Sequence, residues 1–438
     1  MSLGVARGRL QLVVLFLTVA AVLPAPAARA QAPADCTVPG QNLFVRNTLQ
    51  DIYLWYRELP DPNTALFDSP EAYLDAVRFR PLDESFSYIT TESASDAFFS
   101  DSQFIGLGIG LKFEGQELRL TEVYPQSPAQ DGGLRRGFRI LAINGTSVED
   151  LIARGELGDA FGPSEIGLRA TVRYRDLQGA EGEAAMVKRL VTIPTVSDTR
   201  VIDVDGKKVG YLVFRNFVTP SNAALNAAFT QLRAEGATEL VLDMRYNGGG
   251  LVSVAQNLGG LMGGAATAGQ TFVHFVHNDK NAFRDTTYLF PTLAASLSLS
   301  RAVVITTRAS ASASELVINS LRPFMPVTVV GDATYGKPVG QYGFRFCGKI
   351  LFPVAFSGKN AREEGDYFGG IPADCRAADD LDHELGDGSE TSLAESLQYL
   401  ATGSCSAASN AQARASRGAR AERRLVTRDA WRQLLGAY

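Results

Sequence analysis

The sequence is short of the residues that build metal centres. Among its 438 residues are four cysteines and three histidines. Cys36, Cys347, Cys375 and Cys405 follow no zinc-ligand spacing. His274 and His277 lie three apart in a strand-like run and so face opposite sides. His383 stands alone, and no metal or other cofactor is expected. An excess of positive charge is also missing. The net charge is −5, which leaves no footprint for nucleic acid.

Long apolar runs are scarce too. The one present, Leu10 to Leu23, is too short for a comfortable membrane span. Arg7 and Arg9 precede it, and the small-x-small stretch Ala28-Arg29-Ala30 follows. Residues 1–30 therefore read as a cleaved secretory signal. Asp35-Cys36 makes a poor lipoprotein site, because the residue before the cysteine should be small. The expected product is exported, periplasmic or secreted, from a bacterial cell, with no integral membrane segment after signal removal. In an oxidising compartment the four cysteines are expected to form two disulfides. Cys347–Cys375 would close a local loop, and Cys36–Cys405 would tie the ends together.

What is present divides the chain into regions of different rhythm. Residues 31–100 read as helical, with Leu43, Val45, Leu49, Ile52, Tyr53 and Tyr56 near one face of a helix over 42–57. A second helix over 71–77 follows the start signal Asp68-Ser69-Pro70. Tyr53, Trp55 and Tyr56 read as packing aromatics. Residues 101–190 are mainly strand-like, with an Asn144-Gly145 turn. Residues 191–403 alternate strands and helices: a strand over 208–217, a helix over 222–234, and a buried-type strand over 239–245. Residues 404–438 are rich in Ala and Arg and read as a disordered tail.

Chemistry concentrates at three junctions. Arg308-Ala309-Ser310-Ala311-Ser312-Ala313-Ser314-Glu315 stands between an apolar strand and a helical pattern, where a serine hydroxyl meets the positive end of a helix. Gly331-Asp332-Ala333-Thr334-Tyr335-Gly336-Lys337-Pro338-Val339-Gly340-Gln341 follows a second apolar strand and presents one lysine. A serine nucleophile needs a base, and a lysine kept neutral by desolvation can supply it. Asp243-Met244-Arg245-Tyr246-Asn247-Gly248-Gly249-Gly250 runs from a third strand into a helix.

These segments resemble peptidase family S41, the tail-specific or C-terminal processing proteases. The resemblance makes Ser312 the nucleophile, Lys337 (25 residues later) the base, and Gln341 (four beyond) its partner. It implies an oxyanion hole made by the N–H of Ala313 and of either Gly249 or Gly250. One departure is Pro338, where the family usually has glycine; it removes a donor and fixes φ. The resemblance implies an α/β, crotonase-like (ClpP-like) core over 191–403, preceded by the helical segment. Residues 101–190 resemble a PDZ domain, with Leu107, Gly108 and Ile109 as the loop that captures a peptide carboxylate. Phe138 stands where that domain commonly has aspartate.

The implied function is a serine endopeptidase that cuts polypeptides recognised at an unstructured C-terminus. The alternative is a non-catalytic peptide- or lipophile-binding protein on the same scaffold. Nucleotide binding is disfavoured: Gly331-x-x-x-x-Gly336-Lys337 mimics a phosphate loop, but Pro338 replaces the required hydroxyl and a strand pattern follows. No Gly-x-Ser-x-Gly elbow surrounds Ser312, and Glu315 occupies the lysine place of a Ser-x-x-Lys motif.

Overall fold

The computed structural model describes residues 35–410. The secretory-signal reading and most of the Ala/Arg-rich tail lie outside these residues. Among the described residues no helix is long and apolar enough to cross a membrane.

The N-terminal region begins with the helix Val38–Ile52, capped by the Thr37 side chain and carrying Pro39 in its first turn. It starts and ends earlier than the sequence pattern suggested. Phe44 takes the buried place, while Leu43 is 44% exposed. The helix stops because Tyr53 turns inward, its hydroxyl donating to the buried carboxylate of Asp83 (2.9 Å). Ser69 caps the expected second helix, Pro70–Val77, by accepting from the Ala72 N–H. A third helix, Glu92–Asp101, was not foreseen, since its Ser- and Asp-rich sequence has weak helix propensity. Trp55 packs on Phe79 and Phe368, as a packing aromatic should.

The next region is an antiparallel sheet in the order Ile109–Glu114, Glu117–Val123, Arg139–Ile143, Arg169–Arg175, Glu181–Val187. The Asn144-Gly145 turn has positive φ at both residues (49° and 83°), the geometry of a tight hairpin. Phe138 stacks on Tyr174, so its ring serves the packing of this sheet.

The remaining chain builds a six-stranded sheet in the order Val196–Val204, Lys207–Phe214, Glu239–Asp243, Ala302–Thr306, Val327–Gly331, Cys375–Arg376. The first pair is antiparallel and every later pair parallel. The three central strands are buried throughout, because helices cover both faces. Helices Ser221–Ala234, Val252–Gly263 and Ala313–Leu321 pack on one face through Phe229, Leu258 and Val317, against Leu240, Leu242 and Val304. Leu393 and Leu400 of the helix Thr391–Thr402 meet Val241, Val303 and Ile305 on the other. A smaller sheet orders Thr286–Leu289, Thr271–His277, Val354–Lys359 and Val339–Gln341.

The disulfide pairing differs from expectation. The bonds are Cys36–Cys347 and Cys375–Cys405, with Cα–Cα separations of 5.6 and 5.4 Å. Cys36 lies just before the first helix, whose Phe44 stacks on Phe346 at 4.7 Å, so the helix start sits on the turn that holds Cys347. Cys375 lies on the edge strand of the main sheet, and Cys405 follows the helix that packs across that sheet. Closeness in sequence misled because packing, not loop length, decides which cysteines meet.

Candidate active site

Ser310, Ser312 and Ser314 occupy one short loop and helix start, but their surroundings differ. The Ser310 hydroxyl donates to the Met244 carbonyl (2.7 Å), and the Ser314 hydroxyl to the Asn247 carbonyl (2.9 Å). Both are fully buried and staple the loop to the segment after the Glu239–Asp243 strand. The Ala311 N–H adds a bond to the Asn247 carbonyl (3.0 Å). Ser312 is partly exposed between them. Its backbone stands at φ 54°, ψ −110°, a conformation that L-residues adopt at a cost and that clusters at functional sites. The helix Ala313–Leu321 begins at the next residue, so Ala313 presents a first-turn N–H beside the hydroxyl.

Gly249 lies against this serine. A Cβ added there would fall 2.9 Å from the Ser312 Cβ and 2.8 Å from the Ala313 nitrogen, so only glycine fits. Its N–H donates to Asn247 Oδ1 (2.9 Å), and its carbonyl accepts from the Phe217 N–H (3.0 Å). In a trans peptide the next N–H points opposite to that carbonyl. The Gly250 N–H therefore points away from Phe217.

Lys337 is 8% exposed. Its Nζ donates to Gln341 Oε1 (2.6 Å) and lies 5.7 Å from the centroid of the Phe86 ring. Pro338 does not disturb the turn: its carbonyl accepts from the Gly358 N–H (3.2 Å), and the strand Val339–Gln341 follows directly. That strand also removes the phosphate-loop reading, which needs a helix there. Gly336 has φ 102°, and a Cβ would strike the Phe368 carbonyl at 2.3 Å.

Three contributors to the site had no role in the sequence reading, although Glu315, Asp243, Arg245 and Tyr246 stand inside its motifs. Asp83 accepts from the N–H groups of Phe86 (2.8 Å) and Ser87 (2.9 Å), shaping the loop that brings the Phe86 ring and carbonyl to Lys337 and Gln341. The buried carboxylate of Glu315 accepts from both the serine and the lysine segments. Burial pushes this carboxyl above the ordinary glutamate range, although its donors pull the other way.

The third is a polar network beneath the glycine turn. Arg245 is 1% exposed and pairs with Asp243 (2.8 Å) and Glu390 (2.9 Å). The Tyr246 hydroxyl donates to Asp379 (2.7 Å) and accepts from Arg136 (2.6 Å), a residue of the 101–190 region. Burial alone would raise Asp379, yet Lys112, Arg245 and Arg136 together hold it well below the usual carboxylate range.

Leu107, Gly108 and Ile109 stand apart from this cluster. The Leu107 side chain is buried, while the carbonyls of Leu107 and Gly108 accept from Ala129 (3.0 Å) and Tyr124 (2.9 Å). Ile109 opens the edge strand of its sheet. His274 and His277 make separate contacts, His274 with Thr287 and His277 with Asp285 and Tyr342.

Residues 208–374 match the model of peptidase family S41, residues 40–88 the peptidase S41 N-terminal domain, and residues 119–159 a PDZ domain. The chain is 27% identical over 336 residues to the chloroplastic C-terminal processing peptidase of Tetradesmus obliquus, covering 71% of this chain and 66% of that one. It is 25% identical over 237 residues to the carboxyl-terminal-processing protease of Synechocystis, covering 54% and 53%. The chain thus spans about half to two thirds of the length of these curated relatives. Among solved structures it resembles one from Bacteroides fragilis titled as an S41 protease by inference, with TM-score 0.67 and 26% identity over 82% of this chain and 97% of that one. The photosystem II D1 C-terminal processing protease shares the fold, with TM-score 0.52 and 20% identity over 78% and 94%. The core is accordingly the expected α/β strand–helix core of the ClpP-like, crotonase-like class, with N-terminal helices and a PDZ region. The chain is thus similar to peptidase family S41 across both its N-terminal helices and its α/β core.

Proposed function

We propose that this protein is an exported serine endopeptidase working through a Ser312–Lys337 dyad. Ser312 Oγ attacks the scissile carbonyl, neutral Lys337 takes its proton, and Gln341 orients the amine. The Ala313 N–H and the Gly250 N–H receive the developing oxyanion. Gly250 is preferred over Gly249 because the Gly249 N–H is already held by Asn247. Removing one such donor typically costs about 10²–10³ in rate.

The observation that carries this reading is the selective placement of Ser312. Its two serine neighbours are buried and bonded to carbonyls. Ser312 alone sits partly exposed at a helix start, with a glycine packed against it. A carrier has no use for that arrangement joined to a buried lysine–glutamine pair. Substrates are polypeptides, captured by residues 101–190 through the Leu107–Ile109 loop and cut by residues 191–403. The edge strand that Ile109 opens suits an extended peptide, which adds as a further strand. Two disulfides fit a periplasmic or secreted setting.

Labelling with a fluorophosphonate serine probe tests the reading. Covalent mass added at Ser312, absent in Ser312→Ala, is expected. A folded protein that takes no label and cleaves no unstructured peptide would instead be a binding protein on this scaffold.

A further inference from the structure

Glu315 does more than cap a helix. A glutamate three residues into a helix commonly reaches back to the N–H of the capping residue. Here that accounts for one contact, the Ser312 N–H to Oε2 (2.8 Å). Three further donors come from a segment 19 to 22 residues later in the chain. The Thr334 hydroxyl (2.5 Å) and the Gly336 N–H (2.6 Å) reach Oε1, and the Lys337 N–H (2.9 Å) reaches Oε2. One oxygen atom thus joins the backbone amides of Ser312 and Lys337. Thr334 is itself anchored, since its hydroxyl accepts from the Ile371 N–H (2.7 Å). Four donors around one carboxyl fit the ionised form, which only accepts. The side chain is fully buried, so solvent cannot replace any of these bonds.

We propose that Glu315 is a positioning residue for the dyad: its Oε2 sets the separation of the Ser312 hydroxyl and the Lys337 amine by fixing both backbones to one atom. Helix capping alone leaves the Lys337 arm unexplained. The unusual backbone of Ser312 needs an external hold, and Oε2 supplies it from the same point that holds the base. This rests on the Ser312–Lys337 reading above.

Glu315→Gln tests it. The amide keeps one acceptor oxygen, so its NH2 must face one of the two donor pairs. With a short unstructured peptide, kcat should fall on the order of 10²-fold, because small misplacements of reacting groups carry costs of that size. KM should stay within about twofold, and the variant should still unfold cooperatively. A folded Glu315→Gln with kcat within about threefold of wild type, or with the loss confined to KM, overturns the proposal. Should that variant fail to fold, residue-resolved amide exchange in the wild type decides. Ser312 and Lys337 amides that are protected and exchange together support the proposal, and exchange at exposed-loop rates overturns it. Ser312→Ala is measured alongside. Activity in that variant overturns the dyad and the role of Glu315 together. An inactive Ser312→Ala beside a fully active Glu315→Gln overturns Glu315 alone.

Discussion

Gln341 turns its carbonyl oxygen to Lys337 because its amide nitrogen is already committed. Nε2 donates to the Phe86 carbonyl (2.7 Å) and the Phe352 carbonyl (2.6 Å), which uses both of its hydrogens. Oε1 is left facing Lys337 Nζ at 2.6 Å. The lysine thus meets a neutral acceptor, which orients it without adding the negative charge that would hold it protonated.

Replacing that acceptor by a carboxylate should separate orientation from charge. Gln341→Glu places an anion beside Lys337 and favours its ammonium form. The activity limb should move to higher pH, with a lower rate near neutrality. Gln341→Ala should lose rate with a smaller shift. Profiles of kcat against pH for the two variants check this, and a Gln341→Glu profile that overlays the wild type would count against the assigned role.

The network under the glycine turn carries a stability prediction. Asp379 faces Lys112, Arg136 and Arg245. Asp379→Ala leaves these cations without their shared partner, and losing one member of a buried ion pair costs about 3–5 kcal/mol. Denaturant unfolding of the variant gives the number. Because the folded carboxyl is held below its unfolded value, its contribution is fully present above the ordinary aspartate range. It is lost as pH falls through the folded pKa. Wild-type stability should therefore drop more steeply in acid than that of the variant.

The disulfides are checked by peptide mapping without reduction, which should recover Cys36 joined to Cys347 and Cys375 joined to Cys405. Removing the first pair as a double serine variant should cost about 2–5 kcal/mol, the usual range for a native disulfide.

Substrate capture predicts a dependence on the peptide end. Two peptides identical except for a free or amidated C-terminus should differ in affinity and cleavage, with the free carboxylate preferred. Equal handling of both would remove the Leu107–Ile109 loop from recognition and leave a general endopeptidase.

How far the sequence could be read follows the range of each interaction. Ser312, Lys337 and Gln341 could be singled out as candidates because each sits in a short motif at a strand end, and the fold sets Lys337 against Gln341. The alternation of strands and helices after residue 190 was legible for the same reason. What escaped was long-range. Phe86 reaches Gln341 across 255 residues of chain, and Arg136 meets Tyr246 across 110. The cysteine pairing failed because it depends on where Val38–Ile52 and Thr391–Thr402 pack. Nothing in the spacing of four cysteines encodes that.

The most direct test of the dyad is the pH dependence of Ser312 acylation, followed by intact mass in wild type, Lys337→Ala and Lys337→Arg. In wild type the acylation rate should rise with pH through an apparent pKa below the unperturbed lysine value of about 10.4. Lys337→Arg should be as inert as Lys337→Ala, because a guanidinium cannot give up its proton at these pH values. Acylation that persists in Lys337→Ala with the same pH profile would contradict the account.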